Sequence, residues 1–355
     1  MQALQVPDRS TAAALAWRPV GDPAWRRIVH SNPDATLFHH PDWAILLART
    51  YGYEPVLLVL EDGAGEIRSG ALFLSVRSRL TGHRLISLPF TDHSPVLAGD
   101  GGARADYTQA LVAWRRLQGP PAVEIHADLP STLGVHPLVE GVRHLLPLDC
   151  APGILYRSFK GTQVDRAIRK ADRSGVTVRL DRSAESMSRY YDLHCLTRKR
   201  QGVPVQPRRF FGLLWSSLVV QGRGLIALAE HGGAAIAGAV FLGWNRHLIY
   251  KYGASDPGAW QLRPNNLLFW RVMEWACAEG YAVLDFGKTE LSNRGLRDFK
   301  ARWGAIEVPL TYSVISDAAP RQRGKLINTL MARVLRATPP VTARVAGELL
   351  YRHVA

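Results

Sequence analysis

The chain has 355 residues, enough for two domains of ordinary size, and its 47% apolar and 21% charged residues are typical of globular rather than disordered proteins. No apolar run reaches the ~18 to 20 residues that cross a bilayer. The opening residues, with Arg9 as their early basic residue, do not resemble a signal peptide, so we expect a cytoplasmic protein. The three cysteines are far apart in the sequence and do not predict a disulfide framework. The histidines lack the spacing of metal ligands, so we expect no metal site.

The net charge of +14 is concentrated in two segments. Residues 157–200 carry twelve Lys or Arg against five Asp or Glu, and residues 320–355 carry seven against one. A general bias towards arginine would spread the excess evenly along the chain. The clustering therefore indicates surfaces that contact polyanions.

The first half of the chain predicts one α/β unit. Proline near the first turn and an acidic residue beside it indicate a helix that starts at Pro41. Alternating apolar residues on either side of a Gly-rich turn predict two strands within 54–79. The remaining predicted elements are a strand at 83–90, a helix at 105–118 and a strand at 122–129.

A similar order of elements restarts in the second half. A basic helix closed by Gly175 comes first, and three strands with turns at Gly232-Gly233 and Asn245-Arg246 follow later. The predicted elements are helices at 157–175, 185–202, 208–222, 265–280 and 295–304, and strands at 176–182, within 224–255, at 281–287 and at 309–315. The repeated order predicts an α/β (α+β) protein with domains at 1–150 and 151–318 and a basic tail at 319–355.

Several segments in fixed order resemble the FemAB family of aminoacyl transferases over roughly residues 35–315. They are LISLPFTDH, RAIRKADRSGVTV, LTRKRQGVP, YKYGASD, LRPNNLLFW, LDFGKTE and GLRDFKARWGA. The resemblance implies two tandem GNAT-like domains, each with a mixed sheet flanked by helices. It also implies attack of an amine on an activated acyl group, with aminoacyl-tRNA as donor and a peptidoglycan or other cell-envelope precursor as acceptor. The coiled-coil insertion of some family members is absent between the helices at 184–220.

The pair Phe299-Lys300 is the first candidate for catalysis. A cation on a short helix can stabilise oxyanion charge, and the resemblance implies that role for a Phe-Lys pair at this place. We expect Lys300→Ala to leave the fold intact and to lower turnover on the order of 10²-fold. The alternative is a solvent-facing lysine.

Two tyrosines and one loop are candidates for substrate binding. Tyr250 and Tyr252 alternate on a predicted strand, so both are expected on one face, with Lys251 opposite; packed aromatic residues are the alternative. The loop 260–266 stands where acetyl-CoA enzymes have a glycine-rich pyrophosphate loop. Pro264 there removes a backbone N–H, while Arg263 and Asn265 lie at a helix start that can bind an anion or be an ordinary cap.

Carboxylates and an imidazole near the ends of strands are candidates for proton transfer. Asp285 can orient the acceptor amine or cap the following loop. Asp92 and His93 follow a strand in a loop expected to line a cleft between the domains, where they can deprotonate an ammonium group or form an ordinary turn.

Basic residues on two predicted helices are candidates for contacts with tRNA phosphates. Helical spacing places three or four of them on one face of the first helix. We expect the basic residues at the end of the second helix to extend this face into a single phosphate-binding wall. The candidates are Arg166, Arg169, Lys170, Arg173, Arg198 and Lys199. No RNA-module signature accompanies them, so the contact would be with the RNA backbone.

The donor is therefore predicted to be aminoacyl-tRNA, with acyl-CoA as the alternative and no bound cofactor. A further alternative is a non-catalytic scaffold that binds polyanions or a membrane surface. The tail from Arg321 places Leu326, Leu330 and Val334 on one helical face among basic residues, a pattern that can bind the inner face of an anionic membrane or dock on the protein.

Overall fold

The computed structural model describes residues 13–78, 82–118 and 122–320, and contacts divide the chain into two compact units. Unit 1 comprises residues 13–48, Tyr53–Val139 and Thr311–Pro320, and unit 2 comprises Arg49–Gly52 and Glu140–Leu310. Unit 1 thus ends before residue 150 and includes the end of the last strand. The basic tail beyond Pro320 lies outside the described residues.

Unit 1 is a sheet of mostly antiparallel strands, accompanied by helices. Its elements are β1 (Ala14–Arg18), α1 (Pro23–Ser31), most of α2 (Pro41–Tyr51), β2 (Glu54–Glu61), β3 (Ile67–Ser78), β4 (Gly82–Ile86), β5 (Leu97–Ala98), α3 (Gly101–Gln118) and β6 (Val123–Ile125). The strand order is β1-β2-β3-β4-β6, with the last strand of the chain beside β6 and β5 paired to β3. Helix α3 buries Tyr107 and Leu111 against β2 and β3, and the Tyr107 hydroxyl donates to the Leu58 carbonyl at 3.1 Å.

Unit 2 contains the remaining elements; its described part begins within the long strand β7 and ends within the last strand, β13. They are β7 (Val135–Pro147), α4 (Pro152–Phe159), α5 (Gln163–Arg173), β8 (Thr177–Asp181), α6 (Ala184–Gln201), α7 (Arg208–Leu214), β9 (Gly224–His231), β10 (Ala234–Trp244), β11 (His247–Ser255), α8 (Pro264–Ala278), β12 (Val283–Thr289), α9 (Arg294–Ala301) and β13 (Ile306–Ile315). The strand order is β7-β12-β11-β10-β9-β8, in which only β11 and β12 of the described pairs run parallel.

Both faces of the unit 2 sheet are covered by helices. On one face, Ala239 and Phe241 of β10 belong to the core that α5 and α8 complete. On the other face, a side chain added at Gly238 would meet Tyr190 of α6. Because side chains alternate along a strand, α6 and α8 lie on opposite faces. The mixed α/β fold class predicted from the sequence is confirmed.

Local sequence signals account for several boundaries. Ser183 caps α6 by accepting from the Ser186 N–H at 3.0 Å, and Gly202 ends it in the left-handed conformation. The turn between β10 and β11 uses Asn245 and Arg246 at φ 44° and 62°, as a tight hairpin requires. Within the described part of the chain, no helix is both long and apolar enough to cross a bilayer.

Candidate functional site

The central parallel strands of unit 2 separate into a fork. β11 and β12 pair where His247–Ile249 meets Val283–Asp285. β11 then continues to Ser255, while β12 pairs along its other edge with β7. Beyond the last pair, the facing edges of these two described strands are not joined to each other. The gap between the diverging strands can therefore admit an extended ligand.

A cationic cleft of about 450 Å³ lies on the α8 face of unit 2. Exposed cations from three elements surround it: Arg166 and Lys170 on α5, Arg263 before α8, and Arg302 after α9. The other lining residues are Gln163, Val164, Ala167, Asn266, Phe299 and Trp303, with no acidic side chain among them. Four cations without a lining carboxylate favour an anionic ligand.

The beginning of α8 adds to the positive potential of the cleft. Arg263 holds the N-cap position at φ 57° and provides no side-chain cap, and the first turn carries no acidic residue. Asn265 and Asn266 are therefore inside the helix rather than capping it. No acidic side chain in the first turn offsets the positive end of the α8 dipole, which therefore adds to the charge of the four cations.

The six basic residues predicted to contact phosphate do not form one wall. Arg166 and Lys170 line the cleft, but Arg169 donates to the Asp165 carboxylate at 2.9 Å, and the Arg173 guanidinium donates to the carbonyl of Arg169. Arg198 and Lys199 belong to α6, on the opposite face of the sheet, and do not line the cleft. The prediction of a single wall was wrong because, of the two helices, only α5 contributes side chains to the cleft.

The neighbours Phe299 and Lys300 point in different directions from α9. Phe299 lines the cleft and packs against Phe269 at 5.8 Å between ring centroids. Lys300 is 2% exposed, and its ammonium donates to the Gly287 carbonyl at 2.8 Å and to Thr289 Oγ1 at 2.7 Å. The solvent-facing alternative for Lys300 is therefore wrong.

Lys300 holds an irregular part of β12. The register of β12 against β7 shifts between Asp285 and Lys288, and Gly287 has φ 71°. Asp285 Oδ1 accepts from the Gly287 N–H at 2.8 Å, and its Oδ2 lies 3.3 Å from Arg143 Nε. Asp285 thus caps the bulge, as its alternative interpretation proposed. Burial and the charge of Lys300 lower the pKa of the neighbouring His144.

A bulge in β11 sends the two candidate tyrosines to opposite faces. Tyr252 pairs with Val240 and Tyr250 with Phe241, so Lys251 is an extra residue in the ladder. Tyr250 packs on Phe269 at 4.9 Å, whereas Tyr252 packs among aromatic residues of α6 and α7. The prediction that both share one face was wrong because it assumed a regular strand.

Tyr250 has a fixed hydroxyl close to the strand backbone. A Cβ added at Gly253 would lie 1.6 Å from this hydroxyl, so the glycine provides the space it occupies. Burial raises the pKa of Tyr250 to about 12, and the positive charge of Arg198 acts in the opposite direction. The hydroxyl therefore stays protonated near neutral pH and can donate a hydrogen bond.

In unit 1, Asp92 and His93 lie in a strained loop after β4. Leu88 and Phe90 adopt φ 63° and 61°, a conformation that is costly for residues with side chains. The Tyr312 hydroxyl donates to the Asp92 carbonyl at 3.0 Å and fixes the backbone. Both candidate side chains are half-buried.

Sequence reasoning missed two contributors near the cleft. Arg302 stands three residues after Phe299, a helical spacing that could have identified it. The stacking of Arg200 on Trp260, with 4.6 Å between the guanidinium carbon and the ring centroid, joins residues far apart in sequence. No local signal predicts that pair.

Comparison with known proteins identifies the fold. Residues 158–301 match the family model described as an acetyltransferase (GNAT) domain. The crystal structure of FemX is similar over 89% of this chain and 100% of that one, with a TM-score of 0.68 and 16% identity. A tandem GNAT protein from the clavulanic acid biosynthesis pathway is similar over 87% and 100%, with a TM-score of 0.54 and 12% identity.

A third similar structure is the C-terminal domain of a putative lysylphosphatidylglycerol synthetase from Agrobacterium fabrum, over 88% of this chain and 95% of that one, with a TM-score of 0.55 and 15% identity. A comparison with curated proteins gives no match. The predicted resemblance and tandem GNAT-like fold are confirmed, and the match to the GNAT domain model lies within unit 2.

Proposed function

We propose that the protein is an N-acyltransferase that moves an aminoacyl group from charged tRNA to an amine on a cell-envelope precursor. The cationic cleft carries this proposal. Its four exposed cations come from α5, the loop before α8 and the end of α9, and none of the described residues that line it is acidic. A folded RNA offers such a surface several phosphates at once.

The reaction needs few groups from the protein. The amine attacks the ester carbonyl, the new C–N bond forms, and the ester C–O bond breaks to release the tRNA 3′ oxygen. The Tyr250 hydroxyl is our candidate donor to the oxyanion, because it is protonated and its ring packs on Phe269, which in turn contacts Phe299 of the cleft. Asp92 and His93 remain our candidates for accepting the proton of the amine.

Acyl-CoA is the second candidate donor, and the fork between β11 and β12 favours it. The gap between two diverging strands suits an extended amide-containing arm such as pantetheine, because strand backbone lies on both sides of it. Against it, Pro264 removes one backbone N–H from the start of α8. Both donors keep the same reaction class, because each presents an activated acyl group to an amine.

Binding of bulk tRNA and of acetyl-CoA across a salt series separates the donors. Neutralising several phosphates makes log K fall with log salt by about 0.7 to 0.9 per contact, whereas CoA should respond weakly. We expect Arg166→Ala combined with Lys170→Ala to reduce tRNA affinity about 10-fold at low salt and to make the salt slope shallower by about two contacts.

The matched control is Arg173→Ala, on the same helix but outside the cleft. Micromolar acetyl-CoA binding with no salt-sensitive tRNA binding would show that the donor is an acyl-CoA rather than aminoacyl-tRNA. Turnover is then measured by intact mass of an amine acceptor with each donor. Absence of acyl transfer from either donor would contradict the proposed reaction.

A further inference from the structure

The turn between β11 and α8 presents a tryptophan ring in a fixed orientation. The 3₁₀ turn Pro257–Leu262 is capped by Asp256, whose Oδ1 accepts from the Gly258 N–H at 2.8 Å. The indole N–H of Trp260 donates to Ser255 Oγ at 2.9 Å. Trp260 is nevertheless 43% exposed. An anchored but accessible ring has already lost most of its freedom, so a ligand that stacks on it does not have to order it.

One face of this ring carries a guanidinium. Arg200, in the last turn of α6, places its Cζ 4.6 Å from the Trp260 ring centroid, closer than the 5.6 Å of the Arg208–Tyr191 contact. A planar cation over an indole makes a flat, positively charged stack. Such a stack is suited to a planar ring attached to phosphates.

The turn that carries Trp260 leads directly to a residue of the cationic cleft. The Arg263 N–H donates to the Trp260 carbonyl at 3.0 Å, so a single turn of chain joins the ring to a residue that lines the cleft. A ligand with phosphates at Arg263 therefore has its attached nucleoside within reach of Trp260. The cleft supplies charge and the turn supplies an aromatic surface, two contributions that a nucleotide uses together.

We propose that Trp260 and Arg200 form a stacking platform for an adenine base whose phosphates occupy the cationic cleft. The inference rests on the proposed function, in which both candidate donors carry adenine: the 3′-terminal adenosine of tRNA and the nucleotide of CoA. Stacking on Trp260 positions the donor, while the acyl group reacts elsewhere. Trp260 is accordingly a binding residue and not a catalytic one.

The test compares three variants of the full chain with ligands that carry or lack the base. Trp260→Ala removes the ring, Trp260→Phe keeps an aromatic ring, and Trp17→Ala removes a tryptophan of unit 1 that is 54% exposed. The probes are bulk tRNA, tRNA that lacks its 3′-terminal adenosine, acetyl-CoA, AMP and inorganic pyrophosphate. Affinities come from calorimetry at one low salt concentration.

We expect Trp260→Ala to weaken binding of the adenine-bearing ligands about 10-fold, as loss of one stacked base should. Trp260→Phe should retain most of the affinity, and Trp17→Ala all of it. Pyrophosphate should bind equally to every variant. If tRNA is the source, the effect of Trp260→Ala disappears with the shortened tRNA; if CoA is the source, the effect appears with acetyl-CoA and AMP.

Equal affinity of Trp260→Ala and the parent chain for all adenine-bearing ligands overturns the platform. So does an equal loss of pyrophosphate binding, which would point to a disturbed cleft, or a parent chain that binds no adenine nucleotide. These readouts are independent of acyl transfer. A base-dependent loss without any turnover would keep the platform and reject the proposed reaction.

Discussion

On one side of α9, Phe299 faces a cleft lined by exposed cations; on the other side, Lys300 is buried against the bulge of β12. The cleft contains groups that a ligand can reach without any rearrangement. The buried side contains a cation whose hydrogen bonds to Gly287 and Thr289 hold the backbone of the fork. Adjacent residues of one motif therefore contribute to the site in different ways, one at its surface and one through the position of a strand.

The largest effect is expected from Lys300→Ala. It leaves two buried acceptors without their donor and opens a cavity, so we expect the free energy of unfolding to fall by about 2 to 5 kcal/mol. This replaces the expectation from sequence that the fold would be unaffected. Turnover should also fall, on the order of 10²-fold in the fraction that remains folded, because the backbone of β12 that Lys300 positions would shift.

Chemical denaturation and turnover of the same preparations measure both quantities. Lys300→Met, which keeps most of the volume, should recover part of the stability but none of the hydrogen bonding. Lys170→Ala, which shortens an exposed side chain of the cleft, should leave the free energy of unfolding nearly unchanged. Similar stability of Lys300→Ala and Lys170→Ala would show that the two sides of α9 do not differ as described.

Tyr250→Phe should give the next largest effect, and on turnover rather than stability. Loss of one donor to a developing oxyanion lowers turnover on the order of 10²-fold. Tyr252→Phe should have a much smaller effect, because its ring lies on the α6 face among Phe210 and Phe211. Steady-state turnover with a saturating donor makes the comparison, and equal losses for the two variants would contradict the separation caused by the bulge.

The sequence predicted what depends on periodicity and failed where the periodicity is interrupted. The four-residue spacing of Arg166 and Lys170 predicts that they share one face of a helix, and both line the cleft. The bulge at Lys251 adds one residue to β11, and no feature of the composition indicates it. The alternation rule therefore assigned Tyr250 and Tyr252 to the same face of the sheet, which is incorrect.

Strand β7 was missed for a related reason. Pro137 and Gly141 interrupt its pattern, although Gly141 is needed because a Cβ there would lie 2.3 Å from the Thr289 carbonyl oxygen. The burial of Lys300 depends on contacts between α9 and β12 that only the fold creates. Local sequence therefore located the segments of the candidate site but not the direction of each side chain.

The smallest effect at neutral pH, and the one that separates folding from binding, concerns His194 on the α6 face. Its ring is buried between Tyr190 and Gln206, with Nε2 at 2.7 Å from Gln206 Oε1. Burial, aided by the charge of Arg198, lowers the pKa of His194 to about 3, from an ordinary value of 6.5. Well above pH 6.5 neither the folded nor the unfolded chain protonates this ring, so His194 has no influence there on the pH dependence of stability.

As the pH falls below 6.5, the unfolded chain takes up a proton that the folded chain does not. The contribution of His194 to stability is then lost at about 1.4 kcal/mol per pH unit. His194→Gln should be less stable than the parent at pH 7 but should show a shallower loss between pH 6.5 and 4. Denaturation at each pH, with tRNA binding measured alongside, tests this. Because His194 does not line the cleft, affinity per folded molecule should change little. Parallel slopes for both proteins would mean that the ring is protonated in the folded state.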